Sequence, residues 1–200
     1  MPTTTISRFA LTLSIFAAAC DTSTETGSET ESETGEDTLE TDEIDRTTET
    51  VVDARDETKW VYLDLESGHF VVPNTPEDTV EWDLAFQRFN IAVNGGTSGS
   101  GGVEVAALEG EMFASVIEAP SSGYITDNVQ DKPEDMETTP GYAFDLWYDY
   151  NPSNHILTPR ELVYVVRTVE GNFFKVQLLD YYDEAGTSGY VHVIYEDLEG

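Results

Sequence analysis

The sequence predicts an all-β domain, with antiparallel strands in a sandwich or a strongly bent sheet and minor helix. Three observations carry this. Short runs rich in Val, Ile, Tyr, Phe and Trp recur between Gly, Pro, Asn and Asp clusters from residue 58 onward. No apolar pattern of helical period is sustained over a full helix. All three Trp and all ten Tyr lie beyond residue 57, so residues 58–200 hold the material for one core.

In chain order, Trp60 to Leu65 reads as a strand of β-branched and aromatic residues, and Phe70 to Val72 as a second that stops at Pro73. Trp82 to Val93 is a longer run without clean alternation, which predicts a bulge or bend within it. Residues 94–102 contain five glycines and lack the Lys-Ser/Thr pair of a phosphate loop, so they read as a connection between strands. Val103 to Leu108 resumes as a strand. Leu108, Met112 and Val116 are spaced by four and predict a short helical turn. Residues 119–141, rich in Pro, Asp, Glu, Ser and Gly, read as a long loop. Three runs follow, Leu162 to Val169, Phe173 to Tyr182 and Gly189 to Tyr195. Their short connections predict an antiparallel meander.

Upstream of the domain the text changes character. Residues 1–20 hold Arg8, no acid, and an apolar run from Phe9 to Ala19, the length of a signal-peptide core and too short to span a bilayer. The run ends Ala17-Ala18-Ala19-Cys20, and Cys20 is the one Cys of the chain. This predicts a bacterial lipoprotein signal with Cys20 lipidated, which would anchor the chain to a membrane, outer membrane or cell surface included. Ala17 stands where such signals more often carry Leu, which leaves soluble secretion open. Residues 21–57 read as a disordered acidic Thr/Ser/Glu linker, because such text buries too little apolar surface to offset its ordering entropy. As a flexible coil it reaches roughly 35 Å.

The formal net charge of −31 comes from 40 acidic and 9 basic residues. It excludes a nucleic-acid surface, which needs clustered Lys and Arg, and disfavours docking on anionic lipid. One Cys excludes an internal disulfide. No G-x-S-x-G elbow occurs, and with so many acids the carboxylate pairs, such as Asp145 with Asp149, are expected by chance. Residue types alone therefore name no reaction; no enzyme is expected, and an extracellular hydrolase is the weakest alternative. Metal or haem ligation needs His, Met, Cys or Tyr on a pocket wall. His69 and His192 fall in strand-like text and read as surface residues; Met112 reads as core, with Met136 a second Met to consider. His155 differs. It follows Trp147, Tyr148 and Tyr150 in a Pro-containing segment, with Arg160 five residues on. An axial base, aromatics for a flat ring and a cation for a carboxylate thus fall within fourteen residues. Residue types alone favour a plain loop His beside core aromatics.

The sequence resembles the HmuY-like surface lipoproteins. The resemblance rests on Trp82-Asp83-Leu84-Ala85-Phe86-Gln87-Arg88-Phe89 with Asn94-Gly95-Gly96. It continues in Tyr164 to Thr168 with Gly171, Phe174 to Gln177, Asp180-Tyr181-Tyr182 and Gly186 to Gly189. It covers residues 58–198. It implies an antiparallel all-β fold and a haemophore-like protein that captures haem and passes it to an outer-membrane receptor. In the best-known member two His from separate loops ligate the iron. Carried over, His155 becomes the axial metal ligand, Trp147, Tyr148 and Tyr150 line the haem cleft, and Arg160 pairs with a propionate. No second His is placed, so His/Met and His/Tyr ligation stay open. So does a β interaction domain without cofactor. The domain's surplus of acids opposes an anionic ligand at long range, so local Arg would have to hold it.

Overall fold

The computed structural model describes residues 46–132, 137–145 and 147–198, with side chains 130–132 and 137–139 left aside. Cys20, the predicted signal and linker up to residue 45, and Met136 lie outside the described residues. The strands are β1 (Thr48–Asp53), β2 (Val61–Asp64), β3 (His69–Val71), β4 (Leu84–Gln87), β5 (Asn90–Val93) and β6 (Glu104–Glu109). They continue as β7 (Asn128–Lys132), β8 (Glu137–Gly141), β9 (Tyr148–Asn151), β10 (Ile156–Pro159), β11 (Leu162–Arg167), β12 (Phe173–Tyr182) and β13 (Ser188–Leu198). The helical content among the described residues is two 3-10 turns, Pro76–Asp78 and Phe113–Ser115.

The strands make two antiparallel sheets and two separate hairpins. One sheet runs β1-β13-β12-β11-β6, the other β3-β2-β4-β5, with β7-β8 and β9-β10 as hairpins. The C-terminal meander β11-β12-β13 forms the body of the first sheet, as its short connections predict. Alternate residues of both sheets meet in one core: Val166, Val176, Val191 and Val193 from the first, Leu63, Leu84, Phe86 and Ile91 from the second. Each large side chain so buried contributes about 1.5–3 kcal/mol. The opposite face of β11 carries Val163 and Val165, covered by Val116 with Phe113 and Tyr124 packed on it.

Four segments differ from the expectations. The linker was predicted to extend to residue 57, yet β1 pairs along its whole length with β13, from Thr48↔Tyr195 to Asp53↔Tyr190. Its sequence, TETVVD, buries only Val52, so the text alone looks like more linker. The run Trp82 to Val93 is not one bent strand but the hairpin β4-β5, turned by Arg88 at φ 54°. Leu108 belongs to β6, and Met112, expected in the core, is 72% exposed beside the second 3-10 turn. The loop predicted over 119–141 contains the β7-β8 hairpin.

Three buried polar side chains tie these parts together. Asn94 Nδ2 donates to the carbonyls of Thr79 and Trp82, and its Oδ1 accepts from Gly101 N–H. The glycine-rich segment thus wraps a polar side chain, not a phosphate. Asp127 accepts from the N–H groups of Val93 and Ala143, fastening the base of β7-β8 to the second sheet. Its carboxyl is raised by burial. Asp83 accepts from Leu65 N–H and Val169 N–H, 2.9 Å each, and so joins the second sheet to the β11-β12 turn. Gly96 packs against the Asp127 segment at φ +63°, and a Cβ there would stand 1.9 Å from Asp127 O. Gly96→Ala is expected to cost about 3 kcal/mol or more, read by denaturant unfolding. A loss below about 1 kcal/mol would show that the loop has room to adapt.

The two ends of the first sheet are distinct. β1 begins beside Tyr195, at the end of the sheet where Phe173 pairs with Leu198. The β9-β10 hairpin is held at the other end, where Leu157 N–H donates to Tyr182 Oη at 3.0 Å. Ten residues of β12 separate these ends, roughly 33 Å of strand.

Candidate functional site

The segment after the aromatic cluster folds as a hairpin because its turn residues supply their own hydrogen-bond partners. Asn151 Oδ1 accepts from Ser153 N–H, Asn154 Oδ1 accepts from Ile156 N–H, and His155 N–H closes the turn on Asn151 O at 2.8 Å. His155 itself takes the left-handed conformation, φ 59°. A non-glycine residue held there is uncommon and is maintained by its surroundings.

The hairpin brings Tyr150 and His155 together. The Tyr150 hydroxyl and His155 Nδ1 form a hydrogen bond, with ring centroids 6.0 Å apart. Both side chains are exposed. In the tautomer with the proton on Nδ1, that N–H donates to Tyr150 Oη and leaves the Nε2 lone pair for a metal. Ile156, 40% exposed, adds apolar surface beside them.

The other predicted residues are placed at the hairpin's base. Trp147 is buried in the core, where Nε1 donates to Phe89 O at 2.8 Å and the ring packs on Tyr181. It supports the hairpin from beneath and does not form an open wall beside His155. Tyr148 is half-buried and meets Phe89 and Trp147 edge-on, with centroids at 5.9 Å and 5.0 Å. Arg160 pairs with Glu109 at 3.1 Å, and its N–H donates to Trp147 O. It lines a shallow recess of about 370 Å³ with Gly110 and Asp149. The hairpin's own strand length separates it from His155.

His69 is exposed on β3, and His192 is half-buried on β13 with its Nε2 enclosed. Phe89 was missed by sequence reasoning. It lies just past the Arg88 turn, 43% exposed, in text read as strand interior. The signal that marks it is the polar group Gln87, Arg88 and Asn90, which interrupts the apolar residues of the run.

Asp64, Glu66 and Asp83 bring carboxylate oxygens within 4.8 Å of one another. Each is engaged by protein donors: Ser67 Oγ on Asp64, the Thr168 hydroxyl on Glu66, and the two backbone N–H groups on Asp83. Burial pushes the Asp83 carboxyl up to about 7; the two N–H bonds oppose the rise, and Glu66 and Glu170 add to it.

Comparison with known proteins follows the same outline. The family model described as "HmuY protein" matches residues 56–195. The apo HmuY analogue of Tannerella forsythia superimposes with a TM-score of 0.60 at 18% identity, covering 77% of this chain and 96% of that one. A candidate lipoprotein from Bacteroides fragilis gives 0.59 at 21% identity, covering 78% and 92%. A candidate HmuY-like haem-binding protein from Bacteroides vulgatus gives 0.56 at 19%, covering 76% and 91%. No curated protein matches. The family match runs from the loop after β1 into β13, through both sheets and both hairpins, and the chain belongs to the HmuY family.

Proposed function

We propose that the chain is an exported, lipid-anchored binding protein that captures haem at the β9-β10 hairpin and relays it to an outer-membrane receptor. Family membership supports the ligand class, since a structural neighbour is itself described as HmuY-like and haem-binding. The observation that carries the site is the Tyr150–His155 pair, an exposed imidazole whose second nitrogen is already held. His155 would hold the iron of a bound haem through Nε2, because a ligating His ordinarily gives its other N–H to a fixed acceptor. Bound haem would supply an iron that accepts the imidazole nitrogen. Tyr150 would hold the tautomer and ring orientation, Ile156 would contribute apolar contact, and Arg160 at the base would offer a cation for a carboxylate. The proposed role is binding without catalysis, with Cys20 as the lipid attachment point.

Haemin added to the full chain is expected to give a Soret band that saturates at one equivalent. Absence of any band overturns the haem reading and leaves an exported β interaction domain.

A further inference from the structure

The outer face of the β3-β2-β4-β5 sheet carries a further concave feature, built from residues other than those of the hairpin. Register places Tyr62 opposite Ala85, and Ala85 opposite Ala92. At Ala85 and Ala92 the two adjacent strands thus present only methyl groups, where larger side chains would fill the face. Trp82 stands over this floor, nearly fully buried, and Trp60 and Tyr142 pack beside it. The rings are not collapsed on one another. Trp60 meets Tyr142 edge-on at 5.8 Å, and Tyr62 meets Trp82 edge-on at 5.1 Å. Together with Glu77 they line an open recess of about 170 Å³. That is below the roughly 300 Å³ at which drug-sized ligand sites begin, so it suits a small head group.

The chemistry of the walls selects the sign of the ligand. The Trp82 indole N–H is already spent on Pro76 O at 2.9 Å, so this buried ring offers no donor, and the open faces are those of Trp60, Tyr62 and Tyr142. Aromatic faces are negative and attract cations, most strongly in a desolvated box. No Lys or Arg is among the lining residues, whereas Glu77 is. Burial raises the Tyr62 hydroxyl and the Glu77 charge raises it further; Tyr142 is raised by burial and by Asp127 and Asp145. Three half-buried aromatic rings above the buried Trp82, one carboxylate and surrounding negative charge form a recess that receives a positively charged group without itself supplying one.

We propose that this recess binds the methylated or quaternary ammonium head of an organic cation. The site is independent of the haem reading.

Titration of the full chain with tetramethylammonium chloride, read by Trp fluorescence, tests it, with sodium chloride as the control for ionic strength. Two of the three Trp line the recess, so saturable quenching is expected with tetramethylammonium and not with sodium. The neutral tert-butyl isostere of choline is expected to bind about tenfold more weakly or worse. Trp60→Ala should weaken binding about tenfold, and Glu77→Gln, at an exposed position with no core to disturb, by a few-fold. Free choline and phosphatidylcholine vesicles then separate a soluble source from a lipid one; binding of either carries the proposal. Equal binding of the neutral isostere, unchanged binding in both variants, or quenching by a monosaccharide alone overturns it.

Discussion

Asp83→Ala is expected to lower the unfolding free energy by about 2–4 kcal/mol, because it strips the partner from two buried backbone N–H groups at once. For a domain of this size that is a fall in Tm of about 6–12 °C. The loss has a structural address: the second sheet at Leu65 and the β11-β12 turn at Val169 are no longer joined, so hydrogen exchange at those two amides should rise first. The group also sets a pH dependence whose sign is unusual for a carboxylate. Burial raises its folded-state pKa to about 7, above the unfolded value near 4. The folded state therefore holds the proton more tightly, and this contribution to stability is full below about pH 4 and is lost as pH rises toward 7. Asp83→Asn has no such proton, so the margin of the wild-type chain over it should narrow between pH 4 and 7. A margin that widens over that range would mean that the two N–H bonds outweigh desolvation.

The second large effect concerns ligand capture. On the haem reading, His155→Ala should abolish the Soret band or weaken haemin binding by more than about 100-fold, since it removes an iron ligand outright. Tyr150→Phe keeps the ring and deletes the oxygen that Nδ1 engages. It should cost about tenfold, in the range seen for groups that orient a ligating His. Both residues are exposed, so far-ultraviolet circular dichroism should be unchanged in either variant. An unaltered haemin titration for His155→Ala removes His155 from the site even if haem binds elsewhere.

The sequence makes the meander legible because β11, β12 and β13 are long β-branched and aromatic runs that meet through short Gly-containing turns, although only β13 buries alternate residues along most of its length. β1, β7 and β8 escape for the opposite reason. Their text is polar, and tertiary pairing confers strand structure on residues such as Thr48 and Glu49 that have no apolar pattern of their own. The β4-β5 turn escapes because Arg88, with no Gly nearby, takes a left-handed conformation; it is held by hydrogen bonds from its guanidinium to Ser188. At the site, the cluster from Trp147 to Arg160 was visible as a set of residue types, but types do not say which side of a hairpin a ring occupies. Trp147 went to the core because its indole reaches Phe89 O, a contact across 58 residues. The aromatic recess was invisible for the same reason: Trp60 and Tyr142 are remote in sequence and meet only on the folded sheet.

The position of β1 has a mechanical consequence. Its first residue lies at one end of the sheet and the His155 hairpin is held at the other. A pull between the N-terminal segment and a partner gripping the hairpin runs along the strands. The six residue pairs joining β1 to β13 then bear the load together, in shear. A sideways pull would open the same strand one pair at a time, like a zip. The fastening is strong along the strands and weak across them, so on the proposed anchoring and relay the load would fall in the strong direction.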